Sequence, residues 1–408
     1  MPRELESPDR LRALPGMDRL LPALAGLDPC FLVGGAVRDL LLGAESVDVD
    51  IAVEGDAEAV ARQLAARLGG EVRAHERFGT ATVKARGLAV DLAGTRRETY
   101  PSPGALPEVE PAGLAEDLGR RDFTINAIAL GLTGDQLGTV HDPHGGRDDL
   151  IAELVRVLHP NSFADDPTRL LRAVRYAARL GFALEPETER VGRAAVAAGA
   201  VSTVSGPRVR DELIDLLAES AAPRAVELMR DLELDLAVHP ALRADPDLVA
   251  SAKLGAAETG ADPALAALAG LCAGAPEELE QWLDRLGLTA GERDAVLRAA
   301  RRAPALAEEL RAPMRPSQLH MLLAPEPPEA LALALALRAP AEPVLEFVSR
   351  LRPLRLEITG ADLLAAGVPE SPALGRALEQ TLARKLDGEL DGREDELRTA
   401  LELAGVKR

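Results

Sequence analysis

The sequence predicts an α+β fold in which a mixed N-terminal part is followed by helices alone. Between residue 30 and about residue 146, short apolar runs with polar alternation lie between Gly and Pro turns, which indicates strands. From residue 147 onward, apolar residues recur at helical spacing and no run indicates a strand. The chain is 47% hydrophobic but only 2% aromatic, so we expect a core of Leu, Ala and Val side chains, which fits a helical protein.

Size, charge and cysteine content limit the possible classes of protein. With 408 residues, the chain is long enough for two to four domains. Its formal net charge of −19 argues against a nucleic-acid partner, because phosphates are normally bound by basic surfaces, but it does not exclude a local basic patch. Cys30 and Cys272 lack metal-ligand spacing, residues 1–10 lack a signal-peptide core, and no apolar run is long enough to span a membrane. We therefore expect buried thiols in a cytoplasmic protein that has no membrane partner.

The segment 30–54 contains two features of nucleotide chemistry, and the first is a glycine turn. The apolar run 31–33 predicts a strand, Gly34 and Gly35 predict a turn, and a short helix carrying Arg38 is expected after them. Glycine lets backbone N–H groups approach a phosphate, and a helix N-terminus favours anions. A glycine pair alone is usually only a turn, so the prediction of a phosphate site depends on the second feature.

The second feature is a set of carboxylates. In the predicted strand 47–51, Asp48 and Asp50 lie on one face, because strand side chains repeat every second residue. A divalent cation relieves their repulsion, and Mg²⁺ prefers carboxylate oxygens. Asp91, inside an apolar run, is expected to be a third carboxylate of this site, with an ion pair to an arginine as the alternative. A phosphate site beside metal-binding carboxylates indicates phosphoryl or nucleotidyl transfer.

Further elements are predicted around these segments. The spacing of apolar residues predicts a helix over 56–68 and strands over 80–85 and 88–93. The segment 94–115 is rich in Pro, Gly and Glu, so we expect it to lack long regular structure and to act as a lid or other functional loop.

In the segment 116–127, two adjacent arginines enter a predicted apolar helix. Arg120 and Arg121 are suited to holding triphosphate oxygens or a ribose. Asp122 and Asn126 lie one helical turn apart, where they can meet sugar hydroxyls. The alternative is a helix cap stabilised by an Arg–Asp ion pair.

A later helix is predicted to begin at Asp166, which is a good N-cap before a proline. Arg169, Arg172 and Arg175 lie within about a third of its circumference. Three guanidinium groups on one face repel each other unless anions or bases bind there, so the helix is expected to be a local basic site. Two further basic stretches lie at 293–302 and 350–355.

These motifs together resemble the class II tRNA nucleotidyltransferase / bacterial poly(A) polymerase family. The resemblance covers residues 30–182 and rests on five segments in order: LVGGAVRD, DVDIAV, DLGRRDFTINAIAL, DPHGGRDDL and DDPTRLLRAVRYAARLGF. It implies a polymerase-β-like nucleotidyltransferase head over 1–146 and a helical neck with a base-reading helix over 147–215. A helical body over 216–340 and a helical tail over 341–408 would bind tRNA.

The resemblance also implies roles for individual residues. Asp48 and Asp50 would bind Mg²⁺, and Gly35 and Arg38 would contact the triphosphate. The complete set of expected nucleotide-binding residues is Gly34, Gly35, Arg38, Arg121, Asp122, Asp166, Arg169, Arg172 and Arg175; the catalytic set is Asp48, Asp50 and Asp91.

The base-reading role has a physical basis. Cytosine and adenine both present an amino donor beside a ring-nitrogen acceptor, which suits a fixed acceptor on Asp166 beside a fixed donor on Arg169. Uracil and guanine invert this order and would leave both protein groups unsatisfied, at a cost of about 1–3 kcal/mol.

The expected reaction is addition of CCA, or of only CC or only A, to the acceptor arm and 3′ end of tRNA. CTP and ATP would be the substrates, and two Mg²⁺ ions would assist the release of pyrophosphate. Poly(A) polymerase is the alternative within the family, although residues 89–95 lack the basic run expected there. A catalytically silent RNA-binding paralogue is disfavoured, because Asp48, Asp50, Arg38 and Arg121 are all present and the chain is acidic.

Overall fold

The computed structural model describes residues 11–12, 14–43, 48–75 and 79–405. The chain divides into two compact units. The first comprises residues 1–212 and 228–238, and the second comprises residues 213–227 and 239–408. The finer division into head, neck, body and tail stays a prediction.

Strands occur in the first unit. Their bounds are β1 (Cys30–Val33), β2 (Val49–Val53), β3 (Glu71–His75), β4 (Thr80–Ala85), β5 (Leu88–Gly94), β6 (Arg96–Thr99), β7 (Glu108–Pro111), β8 (Ala129–Gly131), β9 (Val140–His141), β10 (Leu154–Val155) and β11 (Ala183–Leu184). Among the described residues, seven of them form one sheet in the order β3-β4-β5-β2-β1-β8-β9. The strands predicted at 31–33, 80–85 and 88–93 are confirmed. The predicted strand 47–51 begins only at residue 49, and residue 47 lies outside the described residues.

Two of the helices in the first unit also contain residues that belong to the second unit. Their bounds are α1 (Met17–Leu24), α2 (Gly35–Leu42), α3 (Ala57–Leu68), α4 (Leu114–Gly119), α5 (Gly146–Ala152), α6 (Ser162–Asp165), α7 (Thr168–Leu180), α8 (Pro186–Ala197), α9 (Gly206–Ala218), α10 (Ala222–Asp231) and α11 (Leu234–Val238). Helix α3 confirms the helix predicted over 56–68, with the Asp56 carboxylate accepting hydrogen bonds from two backbone N–H groups at its start. Part of the sheet core forms where Phe31, Val33 and Ala52 pack with Leu118 of α4.

The pairing of β2 with β5 determines where the acidic residues lie. These two strands are parallel, and their register places Asp50 beside Asp91. On the other side of β5, the antiparallel strand β4 places Thr82 beside Asp91. Side chains that are register partners lie on the same face of a sheet, so the three polar groups share one face.

Two sequence predictions about local structure are corrected. The apolar helix predicted to follow Arg120 and Arg121 does not form: helix α4 ends at residue 119, and only Thr124–Asn126 forms a 3₁₀ turn after it. The cause is Phe123, which is fully buried and whose extended backbone forms a bridge with Val157. The helical part after residue 147 contains the parallel pair β10–β11. The segment 94–115 lacks long regular structure as expected, because the strands of its antiparallel ribbon, β6 and β7, have four residues each.

The described part of the second unit is helical. Its further helices are α12 (Pro246–Thr259), α13 (Pro263–Cys272), α14 (Pro276–Leu286), α15 (Ala290–Glu309), α16 (Pro316–Leu323), α17 (Pro328–Ala336), α18 (Ala341–Glu346), α19 (Gly360–Ala365), α20 (Pro372–Leu386) and α21 (Gly392–Leu403). Helix α12 packs closely on α17, because a Cβ atom on Gly255 would lie 2.6 Å from the carbonyl oxygen of Ala332. A search of the described residues finds no helix that is both long and apolar enough to cross a membrane.

Candidate nucleotide-binding site

The predicted glycine turn joins β1 to α2. Gly34 has a φ of 68°, a left-handed conformation that favours glycine. A Cβ atom on Gly34 would also lie 2.9 Å from Nη1 of Arg121, so a side chain at this position would collide with that guanidinium. The turn therefore brings backbone without a side chain next to a cation at the start of α2, which is a suitable place for an anion.

The predicted carboxylates lie together beside this turn. Incomplete solvation raises the pKa of Asp50, the charges of Asp91 and Asp48 raise it further, and the charge of Arg121 opposes the change. One Asp91 oxygen accepts a hydrogen bond of 2.5 Å from the Thr82 hydroxyl. The charges of Asp91 and Asp48 thus disfavour ionisation of Asp50, and a bound cation would relieve this effect.

The donor set fits Mg²⁺ in its usual protein environment. Among the described residues, no group of three or more His, Cys, Asp or Glu side chains is arranged to hold a metal ion unaided. Mg²⁺ commonly keeps several waters and is held by one or two carboxylates together with substrate phosphates. Asp50 and Asp91, which are register partners close to the glycine turn, provide hard oxygen ligands of this kind.

One cavity of about 520 Å³ joins most of the predicted residues. Its wall contains Gly34, Gly35, Asp50, Arg121, Asp122, Asp166, Arg169 and Arg172 from the predicted set. Arg38, Asp48, Asp91 and Arg175 do not belong to this wall, and Asp91 instead lines a neighbouring cavity of about 410 Å³ that shares Asp50 and Arg121 with the first. The 520 Å³ cavity is called the nucleotide cavity below.

Both side chains of the predicted base-reading pair are held in place. The Asp166 oxygen Oδ1 accepts hydrogen bonds from the backbone N–H and the hydroxyl of Thr168, and from Nη2 of Arg208 at 2.8 Å. The buried guanidinium of Arg169 donates to the Ser162 hydroxyl at 2.6 Å and to the Arg120 carbonyl oxygen at 2.8 Å. A donor and an acceptor with restricted orientations are what selection between bases needs.

The arginine stripe on α7 is neutralised by the protein itself, which corrects the expectation that it needs external anions. Nε and Nη2 of Arg172 donate to Oδ2 of Asp122 at 2.9 and 2.6 Å. Arg172 and Arg175 also share the carboxylate of Glu212, at 3.0 and 2.9 Å. A bound nucleotide would therefore either compete with these carboxylates for Arg172 and Arg175 or bind while these ion pairs stay intact.

Asp122 is buried at the centre of a polar network. Its Oδ1 accepts from the Asn126 amide at 2.9 Å, and Asn126 in turn accepts from Nη1 of Arg38 at 2.7 Å. Burial opposes ionisation of Asp122, but the charge of Arg172 and the hydrogen bond from Asn126 outweigh it and lower the pKa. The predicted proximity of Asp122 and Asn126 is thus present, although the two residues are not on one α-helix.

Arg38 is more enclosed than the resemblance implied. Its side chain is 2% exposed, and its guanidinium donates twice to Asp39 and once to Asn126. It lies behind the glycine turn, where Nη2 is 3.3 Å from the place a Cβ on Gly35 would occupy. Direct contact of Arg38 with a triphosphate stays a prediction that requires a rearrangement of these bonds.

Arg121 combines a fixed and an unused donor. Its Nη2 donates to the buried carboxylate of Asp117 at 3.0 Å. Among the described residues, its Nε has no hydrogen-bond partner although the atom is buried. A buried donor without a partner is costly, so a ligand acceptor would satisfy this nitrogen on a turn of the Arg121 side chain toward the cavity that the residue lines.

Several residues of the cavity wall were given no role from the sequence, among them Glu98, Tyr100, Thr168, Tyr176, Asp211 and Glu212. One signal was available. The chain has two tyrosines, and both line this cavity. A rare aromatic residue in a chain with 2% aromatics therefore identifies the site as well as the charged motifs do.

Comparisons with known proteins agree with the geometry. The family model described as "Poly A polymerase head domain" matches residues 30–156. The one described as "Probable RNA and SrmB- binding site of polymerase A" matches residues 181–245.

Curated relatives with all three addition activities are similar to the chain. An A-adding tRNA nucleotidyltransferase of Geobacter sulfurreducens is 35% identical over 402 residues, which cover 92% of this chain and 45% of that protein. A CC-adding tRNA nucleotidyltransferase of Deinococcus radiodurans is 36% identical over 372 residues, which cover 91% of this chain and 88% of that protein. A CCA-adding enzyme of Geobacillus stearothermophilus is 36% identical over 50% of this chain and 49% of that protein. The chain spans less than half the length of its A-adding relatives from G. sulfurreducens, Aquifex aeolicus and Halalkalibacterium halodurans (45%, 24% and 48%).

Solved structures extend the similarity to the whole chain. A Thermotoga maritima CCA-adding enzyme in complex with tRNA has a TM-score of 0.77 at 30% identity, covering 98% of each chain. Complexes of a CCA-adding enzyme with CTP and with ATP have TM-scores of 0.80 and 0.82 at 30% and 28% identity, covering 98% and 99% of both chains. Because the Deinococcus relative is matched over most of both sequences and these structures over nearly the full length, the chain belongs to the tRNA nucleotidyltransferase / poly(A) polymerase family.

Proposed function

We propose that the chain transfers nucleotidyl groups from CTP and ATP to the 3′ end of tRNA, adding CCA or the CC or A part of it. The observation that carries this proposal is the nucleotide cavity. The glycine turn, Asp50, Asp166 and Arg169 all line it. A phosphate site, a metal carboxylate and a base-reading pair in one cavity are the groups that a selective nucleotidyltransferase needs.

The residues of the cavity have separate roles in this proposal. The Gly34–Gly35 turn and the guanidinium of Arg121 hold the triphosphate. Asp122 orients the ribose through the network that includes Asn126 and Arg172, and the lowered pKa of Asp122 keeps this carboxylate an acceptor near neutral pH. Arg172 and Arg175 stabilise this end of the site from α7.

Asp166 and Arg169 select the base. Oδ1 of Asp166 is occupied by Thr168 and Arg208, so its other oxygen receives the amino group of cytosine or adenine. Arg169 donates to the ring nitrogen beside that group.

Asp48 and Asp50 would hold Mg²⁺, and Asp91 assists from the neighbouring strand. Nucleotidyltransferases of this kind generally use divalent metal ions, which supply activation of the attacking hydroxyl and charge stabilisation for the leaving pyrophosphate. The protein's contribution is to place these carboxylates beside the cavity wall that contains Arg121.

The acceptor arm of tRNA is the proposed partner of the helical parts, which would recognise its shape rather than its base edges. We place the activity in the cytoplasm, a reducing compartment in which the two buried thiols of Cys30 and Cys272 stay free.

Single-nucleotide extension tests the proposed reaction. Three tRNA substrates, ending before CCA, after C and after CC, receive CTP alone, ATP alone or both, with Mg²⁺. Completion from all three ends with a stop after A identifies CCA addition. Extension of only the CC-ended tRNA identifies A addition, and a halt at CC identifies CC addition. Unlimited addition of A, or no addition at all, contradicts the proposal and favours poly(A) polymerase or a silent paralogue respectively.

Asp48→Ala tests the metal assignment. We expect incorporation to be abolished without a change in thermal unfolding, because Asp48 is exposed at the start of β2. Asp18→Ala, which changes an acidic residue of the same unit that lines a different cavity, is the matched control and should keep its activity. Retained activity of Asp48→Ala would overturn the proposed metal role.

A further inference from the structure

The ring of Tyr176 lies among three guanidinium groups. The distances from the ring centroid to Cζ are 5.1 Å for Arg38, 5.6 Å for Arg172 and 5.2 Å for Arg175. Cations within about 6 Å of an aromatic face are attracted by the negative charge density of the ring. One aromatic ring with three such neighbours is unusual, because like charges converge on it.

Two separate parts of the chain build this arrangement. Arg172, Arg175 and Tyr176 lie on one turn of α7, whereas Arg38 is part of α2, which follows the glycine turn. A carboxylate binds each arginine of the cluster: Asp39 binds Arg38, Asp122 binds Arg172, and Glu212 binds both Arg172 and Arg175. The ring is therefore the common neutral neighbour of three ion-paired cations.

Tyr176 also links the two ends of the nucleotide cavity. It lies in the cavity wall together with Arg172 and Gly35. The Arg38 guanidinium that it contacts lies directly behind Gly35, with Nη2 3.3 Å from the place a Cβ there would occupy. The ring thus connects the predicted phosphate end of the cavity with the helix that begins at the base-reading residues.

The chemistry of an aromatic ring suits this position better than that of a carboxylate. A further carboxylate in place of the ring would attract the arginines, but it would add to the negative charge of Asp122 and Glu212 in the cavity wall and repel a triphosphate. A ring face attracts the arginines without a formal charge, so their positive potential still reaches the cavity. The Tyr176 ring also packs edge-on against Phe123, with centroids 5.8 Å apart, which fixes its orientation.

We propose that Tyr176 is a positioning residue whose ring face holds Arg38, Arg172 and Arg175 beside the nucleotide cavity without adding to the negative charge that Asp122 and Glu212 place in its wall. The inference rests on the proposed function, because the bound anion is the triphosphate of CTP or ATP. Tyr176 itself forms no bond with the substrate; it acts through the arginines.

A series of rings with the same shape but decreasing charge density tests this role. Tyr176 is replaced by Phe and by mono-, di- and trifluorinated phenylalanine, and the Kd of ATP and CTP is measured alongside the KM of the tRNA acceptor. Fluorine withdraws charge density from the ring face but changes its volume little. We expect Kd for both nucleotides to rise stepwise, by about tenfold across the series, while KM for tRNA stays constant.

The same series at Phe163 is the matched control. Phe163 is a buried ring of the same unit that packs near Gly192 and does not line the nucleotide cavity, so its series should be flat. A flat Tyr176 series in an active protein would show that the ring only fills space and would overturn this role alone. A wild-type chain that binds neither ATP nor CTP would overturn the proposed function and this role together.

Discussion

Helices α7 and α15 are both rich in arginine, yet they neutralise this charge in different ways. On α7, Arg172 is paired with Asp122 and Glu212, which lie 50 and 40 residues away in the chain. On α15, Arg301 is paired with Glu277 and Glu280 of the preceding helix α14. Both arginine stripes carry enough acidic partners, so repulsion between arginines does not by itself indicate a ligand.

Burial of the acidic partners distinguishes Arg172 of α7 from Arg301 of α15. The Asp122 side chain is 8% exposed, whereas those of Glu277 and Glu280 are 73% and 48% exposed. Buried charges are costly unless they are paired, so their partners have fixed positions and large energetic effects. Exposed pairs are screened by water and salt and contribute little.

Both arginine stripes border a cavity, and the two cavities differ in the other residues of their walls. The wall of the nucleotide cavity includes Arg169, Arg172 and the partner carboxylates Asp122 and Glu212 together with the Gly34–Gly35 turn and Asp50, whereas Arg298, Arg301 and Arg302 line a cavity of about 410 Å³ with Glu280, Asp294 and Leu297. An arginine stripe therefore indicates function only where a phosphate turn and a metal carboxylate lie in the same wall. Four predictions test this difference, beginning with the largest effect.

Asp122→Asn should strongly destabilise the protein. The change replaces the carboxylate that accepts two hydrogen bonds from Arg172 with a neutral amide. Glu212 and partial solvation still stabilise the Arg172 guanidinium. We expect a loss of about 2–3 kcal/mol in the free energy of unfolding, measured by chemical denaturation. Asp284→Asn, opposite Arg293 on α15, is the matched control and should leave the unfolding midpoint unchanged. Equal effects of the two changes would contradict the distinction between the helices.

Arg169→Lys should weaken base selection without unfolding the protein. Lysine keeps the charge but lacks the planar fork that donates to Ser162 and to the Arg120 carbonyl oxygen. We expect the preference for CTP and ATP over UTP and GTP, measured as a ratio of kcat/KM, to fall about tenfold or more. Arg301→Lys on α15 should keep the wild-type ratio. An unchanged ratio in Arg169→Lys would mean that another residue reads the base.

The local elements of the site were predictable from the sequence, because their signals are local. The strand at 31–33, the turn at Gly34 and the helix over 56–68 follow from apolar spacing and glycine alone. Asp91 was expected beside Asp50 because a charge within an apolar strand needs a partner, and the register agrees.

The partners of the buried arginines were not predictable, because they depend on packing between distant segments. Nothing in the sequence near Arg172 indicates Asp122 or Glu212. Local helix propensity over 116–127 was likewise overridden when the fold buried Phe123 in an extended bridge to Val157.

The pH dependence of stability should separate Asp122 from surface acids. Although burial opposes it, the charge of Arg172 lowers the pKa of Asp122 in the folded protein. A lowered folded-state pKa stabilises the protein above the unfolded pKa, about 3.9 for Asp, and this stabilisation is lost as the pH falls through the folded-state pKa. The difference in stability between wild type and Asp122→Asn should therefore be complete above about pH 5 and shrink below pH 4. A difference that stays constant in acid would show that geometry, and not the charge of Asp122, is responsible.

Arg301→Gln should have the smallest effect, and this makes it the sharpest test of the contrast between the helices. Its two ion pairs on the surface of the second unit involve Glu277 and Glu280, which are themselves exposed, so solvent replaces them readily. We expect no measurable change in the unfolding midpoint at physiological salt and only a slight decrease at low salt, where screening is weaker. Arg172→Gln, the same chemical change on α7, should lower both stability and nucleotide affinity at every salt concentration, because it leaves the buried Asp122 without its counter-charge. If Arg301→Gln lowered stability as much as Arg172→Gln does, burial would not be the property that distinguishes the two arginine stripes.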